Sequence, residues 1–111
     1  MTYKLFLDDQ CNNPDIPFRH PPEGFIPVKS SAEAIELIKS KGKLPEFLSF
    51  DHDLGGEDSA MVLIDWMIDN HYDEEIPDYQ IHSANPVGAL NIHAKMQSWL
   101  KSKSIFDMAR T

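Results

Sequence analysis

Aspartate and histidine residues stand where three short apolar runs of the chain end. The three polar groups are Asp8-Asp9, Asp51-His52-Asp53 and His82-Ser83. Carboxylate oxygens are the ligands that hard divalent cations such as Mg2+ prefer. An imidazole titrates near neutrality and can move protons to or from a phosphate ester. Together these residue types suggest metal-assisted chemistry on a phosphate.

Four apolar runs have the length and composition of short buried strands. They are Leu5–Leu7, Phe25–Val28, Phe47–Phe50 and Tyr79–Ile81. Pro27 favours an edge position for the second strand, because proline has no amide proton to donate to a neighbouring strand. Each of the other three runs leads directly into one of the polar groups.

Helices are predicted between and after these strands. Ser30 and Glu33 have the spacing of a capping box, and Gly42 stands where that first helix should end. The intervening Ala34, Leu37 and Ile38 share one helical face.

The second helix is predicted over Ala60–Asp69, and apolar residues occupy almost all of its faces. Either Ser59 or Asp58 can cap its amino end. Pro86 suits the first turn of a third helix, whose apolar stripe is Ala89, Ile92, Met96, Trp99 and Leu100. The pattern makes no prediction beyond Lys101.

Strands that alternate with helices predict an α/β fold with a parallel sheet and right-handed crossovers. We expect a single domain over residues 1–111, with three layers and a four-stranded sheet in the order 2-1-3-4. Functional sites of such sheets lie beyond the carboxyl ends of the strands, near the point where the strand order reverses. All three polar groups should lie at that edge.

Asp8, Asp9 and Asp51 are therefore the predicted ligands of Mg2+ or another divalent cation, with Asp53 as a fourth candidate. Aspartate after a strand is also a common turn and cap residue. Three strand ends that share the pattern favour the metal site over that simpler explanation.

His82 and His52 are the candidate proton-transfer groups, and they form the predicted catalytic set together with Asp51. Side chains alternate between the two faces of a strand. If Asp51 points towards the metal and the strand stays regular, His52 points away and serves packing instead. The sequence leaves both roles for His52 open.

Ser83, Asn85 and Arg19 are the candidate phosphate-binding residues. Ser83 can donate a hydrogen bond to a phosphoryl oxygen, and Asn85 stands where helix amides favour an anion. Asn85 can equally be a simple helix cap. Arg19 lies in a proline-rich segment, Gln10–Gly24, that is predicted to be a long loop covering the site.

Composition restricts the partners. The net charge of -8 opposes extended binding to a nucleic-acid backbone, but a single phosphate-bearing small molecule or RNA terminus remains compatible. The single cysteine, Cys11, suits a reducing compartment. With no apolar run long enough to span a bilayer and no signal segment, we expect a cytoplasmic protein without a membrane partner.

The motifs resemble those of the cyclic-phosphate-processing receiver-like family, which is related to two-component receiver domains and has a flavodoxin-like fold. The likeness covers roughly residues 3–100. It rests on Leu7-Asp8-Asp9, on Phe50-Asp51-His52-Asp53-Leu54-Gly55-Gly56 and on His82-Ser83-Ala84-Asn85-Pro86-Val87-Gly88, with Asn91 following. The resemblance implies that Asp8, Asp9 and Asp51 hold a metal and that His52 and His82 act on the ester.

Two departures from related patterns bear on function. A receiver carries an invariant lysine after a fifth strand, and no fifth strand or further helix is predicted around Lys101 or Lys103. Family members often have a basic residue two places after the aspartate pair, where this chain has Cys11. Arg19 is the candidate that replaces it.

The leading hypothesis is a metal-assisted phosphoesterase, a hydrolase that opens a cyclic phosphate such as the 2',3'-cyclic phosphate of a processed RNA end or a cyclic nucleotide. In it, one histidine activates water and the other protonates the leaving oxygen. The alternative is a noncatalytic or phosphoacceptor regulatory module in which Asp51 receives a phosphoryl group. A third is a partner-binding protein that keeps the pocket for stability alone.

Overall fold

The computed structural model describes residues 2–11, 21–83 and 85–110. Its strands are β1 (Lys4–Leu7), β2 (Phe25–Val28), β3 (Phe47–Phe50) and β4 (Asp78–Ile81). Its helices are α1 (Ser31–Lys41), α2 (Ala60–His71) and α3 (Pro86–Arg110). Each predicted strand and helix is present, and its bounds lie within a few residues of those expected except at the carboxyl end of α3. Most of the predicted covering loop, with Arg19, lies outside the described residues.

The four strands form one parallel sheet in the order β2-β1-β3-β4, which confirms the predicted topology. Pro27 lies on the edge strand β2, as expected for a residue without an amide donor. In the central pair, Leu7 is in register with Phe50. The receiver-like α/β fold is thereby established.

The three described helices lie on the same face of the sheet. One hydrophobic core unites α1, α2 and α3 with alternate residues of the central strands. Those strand residues are Leu5, Leu7, Leu48 and Phe50, whereas Phe6 and Ser49, which alternate with them, point to the other face. The described ranges therefore contain one of the two expected helical layers, on the face of the sheet that carries the large core.

The helix boundaries follow from local chemistry. The Ser30 hydroxyl accepts a hydrogen bond from the Glu33 amide at 3.1 Å, and Gly42 closes α1 in the left-handed conformation with φ of 74°. Ser59, rather than Asp58, caps α2, because its hydroxyl accepts from the Met61 amide at 3.2 Å.

Asp58 instead binds the first turn of α1. Its carboxylate accepts from the Ser31 amide at 2.9 Å and from the Ser31 hydroxyl at 2.5 Å. A negative charge at a helix amino end is favourable because the unpaired amides there carry partial positive charge. This contact fastens the segment between β3 and α2 to α1.

α3 continues to Arg110, well past Lys101, where the sequence pattern makes no prediction. Its carboxyl-terminal half contacts the opposite end of the sheet, since the Lys103 ammonium donates to the Glu74 carbonyl at 2.5 Å. None of the described helices has the length and apolar character required to cross a membrane.

We expect Asp58→Ala to lower the free energy of unfolding by about 1–2 kcal/mol, because it removes a charged cap and leaves the Ser31 donors unpaired. Glu57→Ala is the matched control, since Glu57 is the exposed neighbour, and it should stay within about 0.5 kcal/mol of the unaltered protein. Urea unfolding measures both. Equal stabilities of the two variants would contradict the cap.

Candidate functional site

Three strands end at the same level of the sheet and place their next residues side by side. The ladder continues for one residue beyond the strands: the Asp51 amide donates to the Leu7 carbonyl and the His82 amide to the Phe50 carbonyl, both at 2.8 Å. The Asp8 amide likewise donates to the Val28 carbonyl at 3.0 Å. Asp8, Asp51 and His82 therefore form a row across β1, β3 and β4.

Asp8, Asp9 and Asp51 form an acidic cluster whose ligand oxygens all lie within 4.8 Å of one another. Asp8 has no exposed surface and Asp51 is 3% exposed, while Asp9 is half-buried. Buried carboxylates at such separations repel one another unless positive charge is close. Their oxygen donor set fits Mg2+ or a similar hard cation.

Asp8 is held by two hydrogen bonds as well as by burial. Its Oδ1 accepts from the Gln10 amide at 2.7 Å, and its Oδ2 lies 3.0 Å from the His82 Nε2. A carboxylate has about four lone-pair sites, so each oxygen can take part in more than one contact. The carboxylate is thus oriented in advance for a cation at the cluster.

His82 lies in a fixed position between two strands. Its Nε2 faces Asp8, and its Nδ1 lies 2.7 Å from the Ser49 hydroxyl. Phe6 stacks on the imidazole, with ring centroids 4.4 Å apart and planes inclined by 8°. The structure therefore brings His82 to the acidic cluster, on the face away from the helices.

His52 has a different environment from His82. Its Nδ1 bonds the Asp53 carboxylate at 2.9 Å, and its ring lies so close to Gly88 of α3 that a Cβ there would be 2.5 Å from the ring. This agrees with the alternation argument, in which His52 points away from Asp51 and serves packing. The catalytic roles of His52, His82 and Asp51 stay predictions.

Asp53 is placed with His52 rather than with the predicted metal ligands. It is exposed, and its second oxygen accepts from the Asn85 amide group at 3.1 Å. Among the described residues, the group that can hold a cation comprises Asp8, Asp9 and Asp51 without Asp53. The contacts found for Asp53 instead connect the β3–α2 segment to the start of α3.

Of the predicted phosphate-binding residues, Asn85 caps α3 and Ser83 bonds Asn85, while Arg19 lies outside the described residues. The Asn85 side-chain oxygen accepts from the Gly88 amide at 3.0 Å, and the Asn85 carbonyl accepts from Ala89 at 2.9 Å. The Ser83 hydroxyl accepts from the Asn85 amide at 3.0 Å. Capping by Asn85 is therefore established, and binding of phosphate by Ser83, Asn85 or Arg19 stays a prediction.

Gly55 brings the β3–α2 segment close to the acidic cluster. Its φ is +89° and that of Gly56 is +58°. Residues that have a Cβ rarely adopt these backbone conformations. A Cβ on Gly55 would lie 3.5 Å from the Asp9 carboxylate. The glycine pair thus lets the backbone turn beside Asp9.

Cys11 cannot supply the positive charge that a basic residue would bring. Its side chain is buried, and burial, followed by the negative charge of Asp8, raises the pKa of its thiol. The thiol is therefore neutral at physiological pH.

Ser49 and Phe6 are site residues that the sequence reasoning missed. Both lie within runs interpreted only as core strands. The signal was available, because Phe6 precedes Asp8 by two residues and Ser49 precedes Asp51 by two, so each shares a strand face with its aspartate. A serine in an otherwise apolar strand was the more specific indication.

Comparison with known families agrees with this fold. A family model described as the cyclic-phosphate processing receiver domain matches residues 3–98 of the 111 in the chain. The chain therefore belongs to the family of cyclic-phosphate processing receiver domains. The same comparisons found no match among the curated proteins or the solved structures.

Gly88→Ala tests the packing of His52. Alanine normally stabilises a helix relative to glycine by about 0.5–1 kcal/mol. Here we expect the opposite sign, a loss of about 1–3 kcal/mol, because the new methyl group would overlap the His52 ring.

The matched control is Ser98→Ala, an exposed position on the same helix, which should be neutral or slightly stabilising. Urea unfolding and the NMR signals of the His52 ring provide the readout. A Gly88→Ala protein at least as stable as the unaltered chain would rule out the contact.

Proposed function

We propose that this protein is a phosphoesterase that opens a cyclic phosphate, on a nucleotide or an RNA end, to a phosphate monoester with the aid of a divalent cation. The observation that carries the proposal is the meeting of a half-buried imidazole and three carboxylates at one sheet edge, with His82 Nε2 3.0 Å from Asp8. Membership in a family named for cyclic-phosphate processing supplies the substrate class.

Ring opening requires water to attack phosphorus, one ring P–O bond to break, and the departing sugar oxygen to gain a proton. Asp8, Asp9 and Asp51 would hold the cation. When bound, it would offset the negative charge that develops on the phosphoryl oxygens. The acidic cluster repels the negatively charged cyclic phosphate in the absence of that cation, so we expect activity to require added metal.

His82 is the residue we favour for protonating the leaving oxygen. An ionised carboxylate can only accept hydrogen bonds, so the Nε2 that faces Asp8 carries a proton. In the acid step the ring would start with both nitrogens protonated and become neutral when Nε2 gives its proton to the leaving oxygen. That proton lies at the cluster, where the leaving oxygen would be. Asp9 is the most exposed of the three carboxylates of the cluster, which makes it the better placed acceptor for the proton of the attacking water.

His52 has a supporting role in this proposal rather than that of the second proton-transfer group. A mechanism with two imidazoles requires both rings to reach one phosphate. The His52 ring lies against Gly88 of α3, whereas His82 lies over β3 on the face away from the helices. His52 with Asp53 would therefore hold the β3–α2 segment in place.

The direct test is incubation of the purified full chain with Mg2+ and either a 2',3'-cyclic nucleotide or an RNA ending in a cyclic phosphate. A monoester product is expected, and chelation should abolish it. His82→Gln should lower turnover by about a hundredfold or more, because it removes the proton donor. Asp51→Asn should lower it comparably by weakening cation binding.

Asp69→Asn, an exposed change on α2, is the matched control and should leave turnover unchanged. Asp51→Asn should also be as stable as the unaltered protein or more so without metal, since one of three clustered carboxylates loses its charge. Added Mg2+ should stabilise the unaltered protein against unfolding, but it should not stabilise Asp51→Asn. A folded protein without turnover across several divalent metals would refute the proposal.

A phosphoacceptor role for Asp51 is the second candidate, favoured by its buried position at the end of β3 within the acidic cluster. Lys103 speaks against it, because its ammonium bonds the Glu74 carbonyl at the other end of the sheet. Incubation with a small phosphodonor followed by intact mass measurement separates the two functions. We expect no mass increase, whereas an increase that Asp51→Asn abolishes would establish phosphoacceptance.

A further inference from the structure

Ser49 is a buried polar residue at the centre of the sheet. It lies in β3, has no exposed surface, and is in register with Phe6 on one side and Gln80 on the other. Its hydroxyl lies 2.7 Å from the His82 Nδ1. A serine in a buried strand costs free energy unless its hydroxyl is paired, and His82 provides the partner.

The size of Ser49 suits the path of the His82 side chain. Adjacent strands are about 4.8 Å apart, so a side chain from β4 must cross β3 to reach Asp8 on β1. A larger residue at position 49 would occupy that path. The Phe6 ring stacks on the face of the imidazole, with ring centroids 4.4 Å apart. Ser49 and Asp8 form hydrogen bonds with its two nitrogens.

Hydrogen-bonding rules then determine the tautomer of the neutral ring. The Asp8 carboxylate only accepts, so in the neutral ring Nε2 is the protonated nitrogen and Nδ1 must accept a hydrogen bond from a donor. The Ser49 hydroxyl is that donor. If it were absent, Nδ1 would lose this partner and the ring would lose one of the hydrogen bonds that orient it.

We infer that Ser49 is a positioning residue for the reaction: its hydroxyl fixes the His82 ring so that the Nε2 proton points at Asp8 in the acidic cluster. The inference rests on the proposed function for its link to catalysis. The orientation of the ring can be tested without any substrate.

The experiment is nitrogen-15 NMR of the histidine rings of the full chain, at one pH where His82 is neutral, with His82→Gln used to assign its signals. The unaltered protein should show the Nε2–H tautomer, with a ring proton that exchanges slowly with water. In Ser49→Ala we expect that exchange to be about five- to tenfold faster, the effect of losing one hydrogen bond.

Ser31→Ala is the matched control, because Ser31 is also buried and its hydroxyl bonds Asp58 outside the acidic cluster. It should reduce stability without changing the exchange of the His82 ring proton. If the proposed reaction occurs, turnover should fall about ten- to a hundredfold in Ser49→Ala and stay near normal in Ser31→Ala.

An Nδ1–H tautomer in the unaltered protein would overturn the inference, and this measurement holds even if Ser49→Ala does not fold. Ring exchange in Ser49→Ala that equals that of the Ser31→Ala control would also overturn it. Absence of turnover in the unaltered protein would overturn the proposed function alone, because tautomer and exchange are measured without substrate.

Discussion

The register of a parallel sheet is the constraint on which the site depends. Because β1, β3 and β4 run in the same direction and end at the same level, the residues that follow them are neighbours by necessity. Asp8 and Asp51 are almost fully buried there, an arrangement that requires donors and positive charge in the immediate surroundings. His82 and the Gln10 amide supply hydrogen bonds to Asp8, and a cation would supply the charge.

The two faces of the sheet have different tasks. One face carries α1, α2 and α3 and contains the large core, which gives the domain its stability. The other carries Phe6, Ser49 and the row of polar residues at the strand ends. Separation of the two faces explains why adjacent residues such as Asp51 and His52 enter different environments. Ser49 lies on the face away from the large core, so a small residue at this strand position leaves no cavity in that core.

The segment between β3 and α2 links the acidic cluster to the helices. Gly55 turns beside Asp9, Asp58 binds the first turn of α1, and His52 packs against Gly88 of α3. His52 and Asp53 were candidates for chemistry in the sequence, and their contacts connect this segment to α3.

Local patterns in the sequence were enough to predict the strands, the helix caps at Ser30 and Gly42, and the strand order. Runs of apolar residues, capping chemistry and the handedness of crossovers act over short distances or follow general rules. The acidic cluster was predictable for the same reason, since strand ends of a parallel sheet share an edge. The choice between Ser59 and Asp58 as the α2 cap was not, because the partner of Asp58 is 27 residues away.

Only the tertiary structure decided which of the candidate side chains meet. The sequence alone identified Asp8, Asp9, Asp51, His52 and His82 by type and by position after strands. It could not decide that His82 crosses β3 to reach Asp8 while His52 turns to α3, since that depends on space left by Ser49 and Gly88. Residue type and periodicity determine where a chain can place a group, but contacts between distant segments determine the direction in which the group points.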